Sequence, residues 1–158
     1  MLKNLSKRCK NINALKIEKF DQIGIIVKDI TKAAKIYEGL LDFKSPLNIV
    51  EQSSTVVYKG NEVTFKMKKI MQNFGGKQFE IVEVVESSGD HLYKEYIDEG
   101  NFGLHHLGIY TKNAENLIDY FKREYNIEVA QSGKAGKVNF YYLDTRDVIG
   151  FFLELIAF

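Results

Sequence analysis

The stretch Phe20-Asp21-Gln22-Ile23-Gly24-Ile25-Ile26-Val27 returns in altered form as Leu104-His105-His106-Leu107-Gly108-Ile109-Tyr110-Thr111. Both runs are apolar, rich in β-formers and carry a glycine at the same place, so together they read as one strand used twice. At an offset of 84 residues Gln22 falls on His106 and Gly24 on Gly108. The offset holds beyond the strands. Asp29 meets Asn113, and both residue types favour a helix start because their side chains accept from its free N–H groups. Apolar residues at helical spacing follow each cap: Ile30, Ala33, Ala34, Tyr37 and Leu41, then Ala114, Leu117, Ile118, Phe121 and Tyr125.

Strand-like runs follow each helix. They are Pro46–Tyr58, Val63–Lys68 and Gln78–Val85 in the first half, and Glu128–Gln131, Asn139–Leu143 and Gly150–Ala157 in the second. Gly60-Asn61 and Gly75-Gly76 supply turn chemistry. The halves end alike, Phe79-Glu80-Ile81-Val82 against Leu153-Glu154-Leu155-Ile156, now at an offset of 74, so the second half is shorter in its hairpin region. Between them Asp90 is expected to cap a short helix through Tyr93, Tyr96 and Ile97 that Gly100 ends. The expected class is α+β, with two tandem βαβββ modules and a short linker helix. The expected boundaries are a basic extension over 1–18, a first module over 19–86, a linker over 87–103 and a second module over 104–158.

The chain of 158 residues is 45% hydrophobic and 27% charged, ordinary for a globular protein with a core of its own. Its net charge of +1 gives no push toward nucleic acid, and no stretch is apolar enough for a membrane span, so neither partner is expected. Cys9 is the only cysteine, which fits a reducing, cytoplasmic setting. The first 19 residues are locally basic, with Lys3, Lys7, Arg8, Lys10, Lys16 and Lys19 against Glu18 alone, and read as a solvated arm.

Order, spacing and duplication of these segments resemble the vicinal oxygen chelate superfamily, which includes glyoxalase I, methylmalonyl-CoA epimerase, extradiol dioxygenases and bleomycin-binding proteins. The residues that carry the resemblance are Asp21–Ile25, Tyr37–Phe43, Gly103–Gly108, Tyr142–Thr145 and Phe152–Leu155, so it covers roughly residues 18–158. It implies an incomplete barrel, or cup, formed by the two modules around one metal site, in a protein that often dimerises. It also implies ligands from the first and last strand of each module, here Gln22, Glu80, His106 and Glu154.

Physical chemistry supports that ligand set. A carboxylate inside an apolar strand is costly unless paired or bound to a cation, and Glu80 and Glu154 both stand in such strands. With His106 and Gln22 they make an N/O set that suits a divalent Co, Ni, Mn or Zn and lacks thiolate. Strand alternation turns His106 inward in register with Gln22 and leaves His105 a packing or hydrogen-bonding role.

The resemblance implies a reaction in which the metal chelates two neighbouring oxygens of a small substrate and Glu154 takes the adjacent carbon's proton. The overall pattern looks like the methylmalonyl-CoA epimerase branch, with an acyl-CoA thioester as substrate. That branch carries a second base, a Glu on the third strand, where Phe65 stands here with Glu62 and Lys66 nearby. A glyoxalase I-like isomerase is the alternative. A binding protein without chemistry is a further one, with Phe65, Phe74, Phe79, Tyr110, Phe140 and Tyr142 lining its cleft. Lys66, Lys68, Lys69, Lys77, Lys134 and Lys137 flank the predicted hairpins as candidate contacts for CoA phosphates, and Gly133 and Gly136 suggest a mobile loop around Lys134.

Overall fold

The computed structural model describes residues 16–158. Most of the basic extension read over 1–18, and Cys9, lie outside the described residues. Eight strands and four helices follow: β1 (Gln22–Ile26), α1 (Ile30–Leu40), β2 (Val50–Tyr58), β3 (Asn61–Phe74), β4 (Lys77–Ser87), α2 (Leu92–Asp98), β5 (Gly103–Thr111), α3 (Ala114–Tyr125), β6 (Val129–Ala135), β7 (Val138–Leu143), α4 (Arg146–Ile149) and β8 (Phe152–Ala157). No helix among the described residues is long and apolar enough to cross a membrane.

The strands form one sheet in the order β1-β4-β3-β2-β6-β7-β8-β5, closed by antiparallel pairing of β5 with β1. The expected incomplete barrel is corrected here to a closed one. Its weakest seam joins β2 to β6 over three residue pairs, Val56–Gly133, Val57–Ser132 and Tyr58–Gln131. The rest of β2, from Val50 to Thr55, pairs only with β3, which leaves the barrel mouth open on that side. Inside lies an apolar cluster of Ile26, Val56, Tyr58, Val63, Phe65, Met67, Val82, Tyr142 and Phe152, to which α2 adds Leu92 and Tyr93. Outside, α1 sets Ile30 and Ala34 against Ile70 and Ile81, and α3 sets Ala114 and Leu117 against Leu143, Leu153 and Leu155. Each buried methylene in these layers contributes about 0.8 kcal/mol.

Local chemistry explains where the elements begin and end. Asp29 caps α1, its carboxylate accepting from the Lys32 N–H, and Glu83 of β4 accepts the Ile30 N–H at 2.7 Å, satisfying a second free donor. Asn113 occupies the corresponding position before α3 without a side-chain cap bond, and Asn126 ends that helix in the left-handed region. The start of α2 differs from the expectation by one residue: His91, not Asp90, holds the N-cap position, and Asp90 instead pairs with Lys94. Strand β2 begins at Val50 rather than Pro46, in keeping with proline's missing N–H. Strand β3 runs six residues beyond the expected Lys68, to Phe74. The expected loop around Lys134 is a tight hairpin. Gly136 takes φ 59° in its turn, and Gly133 leaves room for the Phe140 ring, which a Cβ there would meet at 2.4 Å.

Candidate metal centre

Four adjacent strands, β4, β1, β5 and β8, build the centre. β1 pairs in parallel with β4 so that Gly24 stands beside Glu80, and β5 pairs in parallel with β8 so that Gly108 stands beside Glu154. Where β1 meets β5, Gly24 faces His106 and Gln22 faces Gly108. The two glycines recognised in the sequence as a repeat signal therefore make the space for the centre. A Cβ at Gly24 would lie 1.9 Å from His106 Cε1, and one at Gly108 would lie 3.1 Å from Gln22 Oε1 and 3.2 Å from Glu154 Oε2.

Gln22, Glu80, His106 and Glu154 are all buried inside the barrel. His106 Nε2 lies 3.1 Å from Glu80 Oε2, 3.3 Å from Glu154 Oε2 and 3.0 Å from Gln22 Oε1. Gln22 is held in turn, its Nε2 donating to Gln78 Oε1 at 2.7 Å, and the Tyr110 hydroxyl donates to the same oxygen at 3.0 Å. The β1–β5 register skips a residue at His105, which sits in a bulge. His105 is buried as well, and its Nδ1 lies 2.9 Å from His106 Nδ1. When the His106 Nδ1–H donates to His105, the His106 Nε2 lone pair faces the two carboxylates.

Two carboxyls of the same kind are driven apart by their surroundings. Burial pushes Glu80 up, but the hydrogen bond and charge of His106, with Lys69 behind them, outweigh it and hold Glu80 below the usual range. Burial also pushes Glu154 up, the His106 charge offsets only part of that, and the Glu80 charge adds to it, leaving Glu154 at about 7. Burial would lower His106, yet the Glu154 and Glu80 charges win and raise it. Burial, and then the charges of His106, Arg146 and His91, hold His105 well below its usual value, so it stays neutral. Tyr93 and Tyr142, whose hydroxyls lie 2.9 Å apart, are raised well above the ordinary tyrosine value by burial and by both carboxylates.

The residues fit a divalent ion. One ligand atom each from Glu80, His106 and Glu154 lies within 4.8 Å of the others. Atoms bound at about 2.0–2.2 Å to a common ion stand about 3–4 Å apart, close to the separations found here. Glu154 Oε2 is buried and, although 3.3 Å from His106 Nε2, takes no hydrogen bond. A buried carboxylate oxygen without a partner costs several kcal/mol, which a cation would offset.

A family model described as the glyoxalase/bleomycin resistance protein/dioxygenase superfamily matches residues 21–142. The chain belongs to this superfamily. Solved structures similar to this member include a hypothetical protein from Bacillus halodurans C-125, at 20% identity over 89% of this chain and 94% of that one, with a TM-score of 0.59. Methylmalonyl-CoA epimerase from Mycobacterium tuberculosis gives 12% identity, 91% and 94% coverage and a TM-score of 0.58. A variant of the Streptomyces coelicolor methylmalonyl-CoA epimerase, in complex with 2-nitronate-propionyl-CoA, gives 18% identity, 90% and 95% coverage and a TM-score of 0.54. At these identities the likeness is one of fold. No curated protein matched the sequence.

A cavity opens above the centre, with Glu80 and Glu154 in its wall. Of the aromatics expected to line a cleft, Phe65, Tyr110, Phe140 and Tyr142 do. Phe74 and Phe79 instead pack with Phe43 under α1. Glu62 and Lys66 are exposed on the outer side of β3, Lys66 paired with Glu86, so neither reaches the cavity as a second base. Of the six lysines expected near CoA phosphates, only Lys69 lines the cavity. Sequence reading alone missed the parts played by Gly24, Gly108 and Lys69. The glycine pair was detectable as a repeat, but nothing local marked Lys69 as inward-facing.

Proposed function

We propose that this protein is a divalent-metal-dependent isomerase that removes a proton next to a chelated carbonyl, with methylmalonyl-CoA epimerase-like chemistry. The observation that carries this reading is the meeting of Glu80, His106 and Glu154 under one cavity, with Glu154 raised to about 7. Held by these three residues and Gln22, a Co, Ni, Mn or Zn ion would act as a Lewis acid on two neighbouring substrate oxygens. Glu154 is the proposed base, a buried carboxylate on the cavity wall whose Oε2 takes no hydrogen bond. Tyr93 and Tyr142 keep their hydroxyl protons and serve as donors beside Glu154. Phe65, Met67 and Phe140 give the cavity wall an apolar side. Phe65 stands where a second base would be, and Glu80, the remaining carboxylate on the cavity wall, is held ionised by His106 and Lys69, so Glu154 is the one base of this proposal. All four candidate ligands come from one chain, so the homodimer the family resemblance implies would carry a complete centre in each subunit. An acyl-CoA thioester is the substrate class we favour, in line with the ligand of the Streptomyces protein.

A glyoxalase I-like reaction on a hemithioacetal is the second reading, favoured by the lack of a carboxylate on the inner face of β3. To test both, the protein is stripped of metal and titrated by calorimetry with Co²⁺, Ni²⁺, Mn²⁺ and Zn²⁺, beside His106→Ala and Glu154→Ala. One tight site per chain, weakened in both variants, is expected. Proton exchange at the α-carbon of methylmalonyl-CoA and a hemithioacetal assay then separate the two reactions. No metal binding by the wild type removes both and leaves a binding module with an aromatic cleft.

A further inference from the structure

The two halves of the barrel repeat each other, and next to the centre they differ at a linked pair of positions. β1 pairs Gln22 with Gln78 of β4, and β5 pairs His106 with Phe152 of β8. At the offsets of 84 and 74 residues these are equivalent positions. One half sets a histidine against a phenylalanine, and the other sets a glutamine against a glutamine.

The chemistry of the two side chains accounts for the linkage. His106 turns Nε2 to the centre, and its other nitrogen lies 2.9 Å from His105 Nδ1, so it asks nothing of position 152, where Phe152 is fully buried. An amide has an oxygen that can hold a cation and an NH2 that cannot. Its two ends are so alike in shape that only their neighbours decide which one faces inward.

Here the oxygen faces inward. Gln22 Oε1 lies 3.0 Å from His106 Nε2, and a Cβ at Gly108 would meet both it and Glu154 Oε2, at 3.1 and 3.2 Å. Glu154 Oε2 takes no hydrogen bond. Turned over, the 4%-exposed Gln22 would offer that oxygen an N–H. It is held the other way, because its Nε2 donates to Gln78 Oε1 at 2.7 Å. The Tyr110 hydroxyl donates to the same Gln78 oxygen at 3.0 Å and so keeps Gln78 the acceptor.

Resting on the metal-centre reading above, we infer that Gln78 is a positioning residue. With Tyr110 beside it, Gln78 holds the Gln22 amide with Oε1 toward the centre, so that glutamine serves as a ligand where the other half uses histidine. With no acceptor at position 78, the Gln22 NH2 is free to turn to Glu154, and two inward-facing oxygens become an internal hydrogen bond.

The test titrates Zn²⁺ by calorimetry into the metal-stripped full chain, with thermal unfolding to show that each variant is folded. Gln78→Met keeps the length of the side chain and removes the acceptor. Its affinity is expected to fall about 10- to 100-fold. Gln78→Glu can only accept, and should bind at least as tightly as wild type. Tyr110→Phe should lose at most about tenfold. Gln22→His gives the first half the ligand of the second. In that background Gln78→Met should change affinity by less than about threefold, because the coupled partner is gone, whereas a merely structural role for Gln78 gives the same loss in both backgrounds. Wild-type affinity in a folded Gln78→Met, an equal loss in Gln78→Glu, or an undiminished loss in the Gln22→His background overturns the inference and leaves the metal centre standing. Should Gln22→His not fold, Gln78→Met against Gln78→Glu decides alone. A wild type that binds no Zn²⁺ overturns the centre and this inference together.

Discussion

Replacing Gly24 by alanine puts a methyl group into the imidazole of His106. The new Cβ would stand 1.9 Å from Cε1, 2.1 Å from Nε2 and 2.3 Å from Nδ1. Unstrained carbon contacts lie at about 3.5–4.0 Å, so the ring must retreat by about 1.5–2 Å. It has nowhere to go, because Tyr93 and Tyr142 pack against it and His105 Nδ1 holds its far nitrogen at 2.9 Å. Overpacking of this kind costs about 1–3 kcal/mol. The loss of metal should be larger, since ligand distances are tolerated within about 0.2 Å and the displaced Nε2 leaves the reach of Glu80 and Glu154. Even disturbing the partners behind a ligand costs about 10–100-fold in affinity, so Gly24→Ala should lose more than about 100-fold. Gly108→Ala is the internal control. Its Cβ would meet Gln22 and Glu154 at 3.1–3.2 Å, an overlap those side chains absorb by a small shift, and its affinity should fall by at most about tenfold. Calorimetric metal titration and thermal unfolding of wild type and both variants read the two effects separately. Wild-type affinity in Gly24→Ala, or a greater loss in Gly108→Ala, would refute the placement of the ring.

Three further outcomes are expected. Glu154→Gln keeps the shape of the side chain and removes the proposed proton acceptor. Substrate proton exchange should slow by about 10²–10⁴-fold, as read by deuterium incorporation in a metal-loaded sample. His105→Phe retains an aromatic ring in the buried bulge but removes the nitrogen behind His106. Metal affinity should fall by about 10–100-fold with little change in unfolding temperature, and an unchanged affinity would make His105 a packing residue only. His91, stacked on Phe65 and accepting or donating at Ser87, is lowered to about 4, chiefly by burial and then by Lys94. An unfolded histidine takes its proton near 6.5, so between about 6.5 and 4 the unfolded chain binds more protons and stability falls as pH falls. After allowance for solvent screening at the barrel end this is worth about 2–3 kcal/mol. Urea unfolding at pH 7 and pH 4.5 should show a smaller drop in His91→Phe than in wild type.

Much of the architecture was legible because its signals are local. Asp29 before an apolar stripe marks the start of α1, and Gly24 and Gly108 at one offset mark β1 and β5. Glu80 and Glu154 stood out because an acid inside an apolar strand must have a reason to be there. Barrel closure was not legible. It depends on three residue pairs between β2 and β6, strands more than seventy positions apart, and nothing in either strand marks that seam. The inward position of Lys69 was hidden for another reason. β3 reads Lys66-Met67-Lys68-Lys69-Ile70-Met71, where charge and apolar residues no longer alternate, and the β3–β4 register shifts after Lys66. His105 escaped simple alternation through the bulge that buries it beside His106.

Symmetry in the sequence makes Glu80 and Glu154 equivalent, and chemistry requires that they differ. Two like carboxylates on one ion can serve as ligand and base only if their environments push their proton affinities apart. Gly24 and Gly108 cannot do this, because each makes room for the same kind of group. His106 does most of it through its hydrogen bond and charge on Glu80, and Lys69, 3.7 Å from Glu80, adds to it. Together they hold Glu80 below the usual carboxyl range, while at Glu154 burial and the Glu80 charge outweigh the charges of His106 and Lys69 and raise it to about 7. Under the proposed chemistry the groups around Glu80 therefore assign the base, by holding the other carboxylate ionised.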